Sequence, residues 1–233
     1  MDVQIRRLGM QSYEACLTSM KAFTETRQSD QIDEIWMVQH PSVFTLGKAA
    51  RAQHLKDAGD IPVLATERGG QITYHGPGQV IAYVLLDLGR RGLMVRELVY
   101  LLEQSCIDLL SAWGLSAERR SGAPGVYLNQ DQAMPDTGAL QSDASQPSLA
   151  GSVKIAALGL KVSRSRCYHG IALNVAMNLA PFRQIDPCGY PGLRVTDMQS
   201  CLGYAPDCEV IEAEFSARIA ASLASHYSER RPV

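Results

Sequence analysis

The chain has 233 residues, 46% of them hydrophobic and 20% charged, with a formal net charge of −2 at pH 7. That balance suits a soluble globular protein with a real core; without a basic field or a Lys/Arg-rich run it excludes nucleic acid as the expected partner. The opening MDVQIRRLGM has no long apolar h-region, and no stretch reaches the roughly 18 to 20 apolar residues of a membrane span, so a cytoplasmic protein with no membrane partner is expected.

In chain order, the first helical periodicity starts near Ser12, a plausible N-cap, and puts Tyr13, Cys16, Leu17 and Met20 on one face. Strand-like runs follow at 34–38, 42–47, 71–75 and 79–88. A second helix is predicted over 94–113, aligning Val95, Leu98, Val99, Leu102, Leu109 and Trp113 before Gly114 stops it. Strands at 124–128, 153–162 and 168–175 precede a third helix at 208–227, which carries Val210, Ile211, Phe215, Ile219 and Leu223. Several strands are apolar on both faces, and the order is not a regular βαβ alternation. The expectation is therefore an α+β fold, with a mixed β-sheet packed with helices in a single domain, its core at about 3–215. The stretch 129–150, rich in Gln, Ser, Asp, Pro and Ala, reads as a mobile surface loop insertion.

Six cysteines lie at 16, 106, 167, 188, 201 and 208 without a C-x-x-C pair, which predicts reduced thiols and no zinc cluster. Cys188 stands apart from the other five: in DPCGYPG it sits between Pro187 and Gly189, where a turn can expose a thiol and present N–H groups to an oxyanion. Taken alone, such a cysteine is more often a buried small side chain than a nucleophile. Lys154 begins the otherwise apolar KIAALGLKV; it is either a solvated edge residue or, if buried, a candidate base. RGGQITYHGPGQ, Arg68 to Gln79, has the glycine content for backbone to approach a ligand, yet also reads as a strand between glycine-rich turns. It contains neither G-x-x-x-x-G-K-[ST] nor G-x-G-x-x-G, so nucleotide binding loses support.

Taken in order, RGGQITYHGPGQ, KIAALGL, HGIALNV and DPCGYPG resemble the octanoyltransferases, also called lipoyl(octanoyl) transferases, and HPSVFTLGK at 40–48 resembles an early segment of that family. The resemblance implies the biotin/lipoate protein ligase catalytic fold. It implies transfer of an octanoyl group from acyl carrier protein to a lysine of a lipoyl domain, such as those of 2-oxo acid dehydrogenases or the glycine cleavage H protein, with no ATP, cofactor or metal. Cys188 would carry the acyl group as a thioester, and Lys154 would be its catalytic partner. Arg68, Gly69, Gly70, Gln71, Ile72, Thr73, Tyr74 and His75 would line the substrate site. Ala157, Leu158 and Gly159, with Gly170, Ile171 and Ala172, would wall the acyl chain, and His75 and His169 would stand near the thioester carbonyl or carrier groups. Arg51, Arg164 and Arg166 are the basic residues expected to dock an acidic carrier. The 129–150 stretch is longer than the family's usual connection. The rivals are an ATP-dependent ligase on the same scaffold, which needs no nucleophilic cysteine, and a binding protein that has lost turnover.

Overall fold

Gln79–Asp87 is a nine-residue run of mostly β-branched, aliphatic and aromatic side chains, buried on both faces, and the main sheet is built around it. The computed structural model describes residues 2–131, 149 and 151–229; most of the expected 129–150 loop lies outside the described residues. In spatial order the sheet runs β1 (Val3–Met10), β2 (Asp33–Gln39), β6 (Gln79–Asp87), β10 (Arg166–Asn174), β9 (Ser152–Ser163), β8 (Ala123–Asn129) and β7 (Ala117–Arg120). The short β11 (Arg194–Val195) pairs in parallel with the start of β9. β1 and β2 are also parallel, and the remaining neighbours are antiparallel.

Alternation along β2 divides the core. Ile35 and Met37 face α3 (Val95–Ala112) and α5 (Cys208–Glu229), joining Leu98, Leu102, Leu109, Phe215 and Ile219. Trp36 and Val38 face α1 (Tyr13–Thr26), joining Cys16, Met20, Ile81 and Tyr83. Ser12 caps α1 as expected, accepting from the Ala15 N–H at 3.2 Å. Val95 and Val210, expected on buried faces, are 42% and 43% exposed; the seam between α3 and the sheet runs instead through Leu98, Leu102, Cys106 and Leu109.

A second sheet, β4 (Val63–Ala65), β3 (Val43–Leu46) and β5 (Ile72–His75), was not expected as a separate layer. It packs Phe44, Ile72 and Tyr74 against Phe182 and Ile185, and it brings the glycine-rich 68–75 segment over β9. The Gly69 N–H donates to Leu160 O at 2.8 Å across that junction.

Candidate active site

Cys188 sits in a single 3₁₀ turn, Pro187–Gly189, with φ 57° and ψ 16°. Few non-glycine residues adopt this left-handed conformation, so the turn must be held from outside. Asp186 holds it. Its carboxylate takes Lys56 Nζ at 2.6 Å and His54 Nδ1 at 3.2 Å, and its N–H donates to His54 O at 2.9 Å. Burial would raise the Asp186 carboxyl, but Lys56 and His54 outweigh it and hold the group below the usual carboxylate range. The N–H groups of Gly189 and Tyr190 donate within the turn, to Asp186 O at 2.9 Å and Pro187 O at 3.1 Å. Those two amides therefore do not supply the oxyanion donors that the turn suggested.

Lys154 is a buried residue of β9, 3% exposed, and not a solvated edge. Its Nζ lies 3.0 Å from Cys188 Sγ, 2.9 Å from Pro124 O and 3.0 Å from Tyr127 Oη. The Tyr127 hydroxyl donates its proton to Ala123 O at 3.0 Å, so it can only accept from the lysine, as can the Pro124 carbonyl. Two of the amine's protons are thus committed to fixed acceptors. The third is left for Cys188 Sγ, and it can reside on either atom of that pair. Burial works against charge on Lys154, but Cys188 and Tyr127 facing it override that penalty and raise the amine above the ordinary lysine range.

β8 is shaped around this amine. Gly125 has φ 131°, and a Cβ there would stand 2.7 Å from Nζ and 2.6 Å from Ala156 O. The Gly125 N–H donates to Glu103 Oε1 at 2.8 Å, and Arg119 binds the same carboxylate at 3.1 Å, tying the strand to α3. Sequence reading treated P-G-V-Y only as a strand. Gly125 and Tyr127 were missed because the chemistry they serve is carried by a residue 29 or 27 positions away, Lys154.

From Cys188 a pocket of ≈ 480 Å³, partly open to solvent, runs between the 68–75 segment and β9 and β10. Of the expected substrate residues, Arg68, Gly70, Gln71, Ile72, Thr73, His75, Ala157, Leu158, Gly159, Gly170, Ile171 and Ala172 line it. Gly69 stands behind the wall: a Cβ on Gly159 would meet Gly69 O at 3.0 Å and Arg68 Cδ at 3.3 Å. Tyr74 is turned into the second sheet's core beside Phe44 and Phe182, with its hydroxyl 2.9 Å from Ser42 Oγ. Arg68 is also a brace, donating to Thr45 O at 2.6 Å, Thr45 Oγ1 at 2.9 Å and Gly69 O at 3.1 Å. Gly170 answers to the sheet as much as to the pocket, since any Cβ would run into Ala82 O on β6. Tyr13, Ile81, Tyr83 and His169 complete the lining. The first three were read only as core, because their apolar pattern is the same whether they face a helix or a cavity.

His75 Nδ1 lies 2.7 Å from Gln79 Oε1, whose amide is oriented by its bonds to Tyr74 O and Asn174 Oδ1. Nδ1 therefore carries the proton, and Nε2 is left as an acceptor rather than a donor. Arg164 and Arg166 stand at the β9–β10 turn, ten or more residues along from Lys154, and Arg166 is engaged with Thr24 O and Asp87. Lys56, Arg183 and Arg194 instead border a groove of ≈ 520 Å³ next to Pro187.

Residues 12–223 match the family model described as the lipoyl protein ligase A/B catalytic domain. The chain belongs to that family. An octanoyltransferase of Methylibium petroleiphilum is 49% identical over 225 residues, 96% of this chain and 99% of the relative. In fold, the chain is similar to a bipartite lipoate protein ligase of Thermoplasma acidophilum, with TM-score 0.66 and 14% identity over 98% of this chain and 84% of that one. It is also similar to the biotin protein ligase of Aquifex aeolicus, with TM-score 0.56 and 12% identity over 97% and 72%. The mixed sheet with helices is thus the lipoyl protein ligase catalytic fold.

Proposed function

We propose that the protein is an octanoyltransferase of protein lipoylation that takes its acyl group from a carrier thioester and holds it on Cys188. The observation that carries this reading is the 3.0 Å approach of Lys154 Nζ to Cys188 Sγ, with the amine's other two bonds on fixed acceptors. An adenylate-forming ligase has no use for such a pair, and a binder that had lost turnover would have no reason to keep it.

In the first half-reaction the Cys188 thiolate attacks the octanoyl thioester; the carbon–sulfur bond to the carrier breaks, and the departing thiolate takes the shared proton from Lys154. In the second, the amine of a lipoyl-domain lysine attacks the acyl–Cys188 thioester and gives up a proton to the now neutral Lys154. Cys188 leaves as a thiolate, restoring the starting pair. No ATP is consumed, because one thioester is exchanged for another. The Ala157, Gly159 and Ala172 wall leaves a slot for a methylene chain, whose burial would contribute on the order of 5 kcal/mol at about 0.8 kcal/mol per methylene. Acidic acyl carrier protein as donor is supported by the groove bordered by Lys56, Arg183 and Arg194 beside the cysteine turn.

The test is incubation with octanoyl-acyl carrier protein in the absence of ATP, followed by mapping of the acylated residue and addition of a lipoyl domain. Octanoyl on Cys188, then on the domain's lysine, is the expected result. An absolute ATP requirement, or an unchanged adduct in Cys188→Ala, would defeat the reading.

A further inference from the structure

His169 is 1% exposed, and neither ring nitrogen has a hydrogen-bond partner, yet the ring lines the pocket. His75, which also lines the pocket, and His40 beside it are anchored. His40 has both nitrogens engaged, with Gln11 O and Tyr83 Oη each at 2.8 Å, and His75 is tied to Gln79. Buried polar groups are almost always paired, so two unpaired nitrogens on a ring that lines a cavity point to a partner that arrives with a ligand. The backbone agrees: φ at His169 is 66°, an unusual conformation for a non-glycine strand residue, and such outliers gather where a side chain must be aimed.

The position decides which part of a ligand is met. His169 pairs with Leu160 on β9, whereas the Lys154 amine reaches along that strand to Gly125, whose β9 partner is Ala157, three residues or roughly 10 Å of strand short of Leu160. Cys188 is at Lys154, so the imidazole stands at the far end of the pocket, with Ala157, Gly159 and Ala172 between. The thioester carbonyl is at the other end.

We propose that His169 is a specificity-determining residue that reads the distal end of the acyl chain: it hydrogen-bonds a polar ω-terminus, such as a hydroxyl, and disfavours a methyl that reaches the same depth. The inference rests on the acyl-transfer reading of the site. Burial, followed by the nearby Arg68, Lys21 and His40 charges, lowers the imidazole to about 3, so the ring is neutral near pH 7. A neutral ring offers one donor and one acceptor, which matches a hydroxyl. A methyl at that depth would leave both nitrogens unpaired in the complex, and sites built for hydrogen bonds discriminate against such analogues. An octanoyl chain is short enough to stop before the ring, and a longer methyl-ended chain is not.

The test follows Cys188 acylation of the full chain by intact mass, using octanoyl, nonanoyl and ω-hydroxyoctanoyl thioesters; the last two match in chain atoms. The expected result is a kcat/KM about tenfold lower for nonanoyl than for ω-hydroxyoctanoyl. His169→Phe keeps the ring and removes both nitrogens, and should bring the two within about twofold. His169→Gly, which adopts the left-handed backbone freely and removes both nitrogens, should also narrow the gap if the first variant does not fold. The His169 ring ¹⁵N resonances should move on addition of ω-hydroxyoctanoate and stay put with nonanoate. Equal use of the two donors by the unaltered protein, or a preference for nonanoyl, overturns the inference. Absence of an adduct with all three donors overturns the transfer reading instead.

Discussion

Gly125 leaves its Cα bare against the Lys154 amine: a Cβ at 125 would lie 2.7 Å from Nζ and 2.8 Å from Cε. Both are closer than Cβ atoms approach other atoms, and φ 131° is a conformation that L side chains rarely adopt. Gly125→Ala should therefore push the amine off the cysteine and destabilise the fold by about 1–3 kcal/mol. Acylation kinetics and a urea titration check it together; unchanged acylation would show that Lys154 tolerates displacement.

Tyr127 fixes one of the three amine protons, and its own hydroxyl is committed to Ala123 O. Burial, opposed by Lys154, raises the phenol above its usual range, so it stays a neutral hydroxyl. Tyr127→Phe should cost about 1 kcal/mol of stability and slow acylation several-fold, because the amine gains freedom to turn from the sulfur. Lys154→Ala should do far more, lowering turnover about 10²- to 10⁴-fold. It should also slow alkylation of Cys188 by iodoacetamide near neutral pH, since the ammonium facing the sulfur is gone. Unaltered alkylation would count against the pairing.

How much of this was legible in the chain depends on how local each signal is. The Pro–Gly turn made Cys188 a candidate, but its neighbours alone left it open, as the apolar strand left Lys154 open between solvated edge and buried base; the four motifs taken together assigned both. The three long helices announced themselves, since their periodicity survives without tertiary context. β1 did not, because as an edge strand with most of its residues exposed it lacks alternation. The runs at 42–47 and 71–75 were legible as strands, but β4 is three residues, too short for periodicity to register, and the pairing of β3 with β4 and β5 into a sheet of their own is a tertiary choice. Asp186 was in view inside DPCGYPG, but its role needs His54 and Lys56, more than a hundred residues earlier.

That anchor gives the next prediction. Asp186→Asn keeps the size of the side chain and removes the charge that draws Lys56 and His54 onto the turn. Acylation should slow while the fold loses about 1 kcal/mol, and hydrogen exchange at 187–190 should quicken relative to the rest of the sheet. Exchange that stays as slow as in the parent would mean that the turn is held by Pro187 packing alone.

Acid should weaken the whole molecule through its buried imidazoles. Burial lowers His40 from 6.5 to about 4 and His169 from 6.5 to about 3, and it lowers His75 well below its ordinary value, an effect reinforced by His40. The folded state therefore keeps these rings neutral while the unfolded chain protonates its histidines near 6.5, and the unfolded state binds more protons throughout that interval. Stability is accordingly full above pH 6.5 and is lost as pH falls, down to about 4 for His40 and about 3 for His169. The slope should approach 1.4 kcal/mol per pH unit per histidine, or about 4 kcal/mol per unit for the three together. The depressed Asp186 acts in the same direction at lower pH, since its ion pairs are lost as it protonates. Urea midpoints taken from about pH 7.5 to about pH 5 should fall steeply with little change in m-value. A flat profile over that range would mean that the three rings carry protons in the folded state.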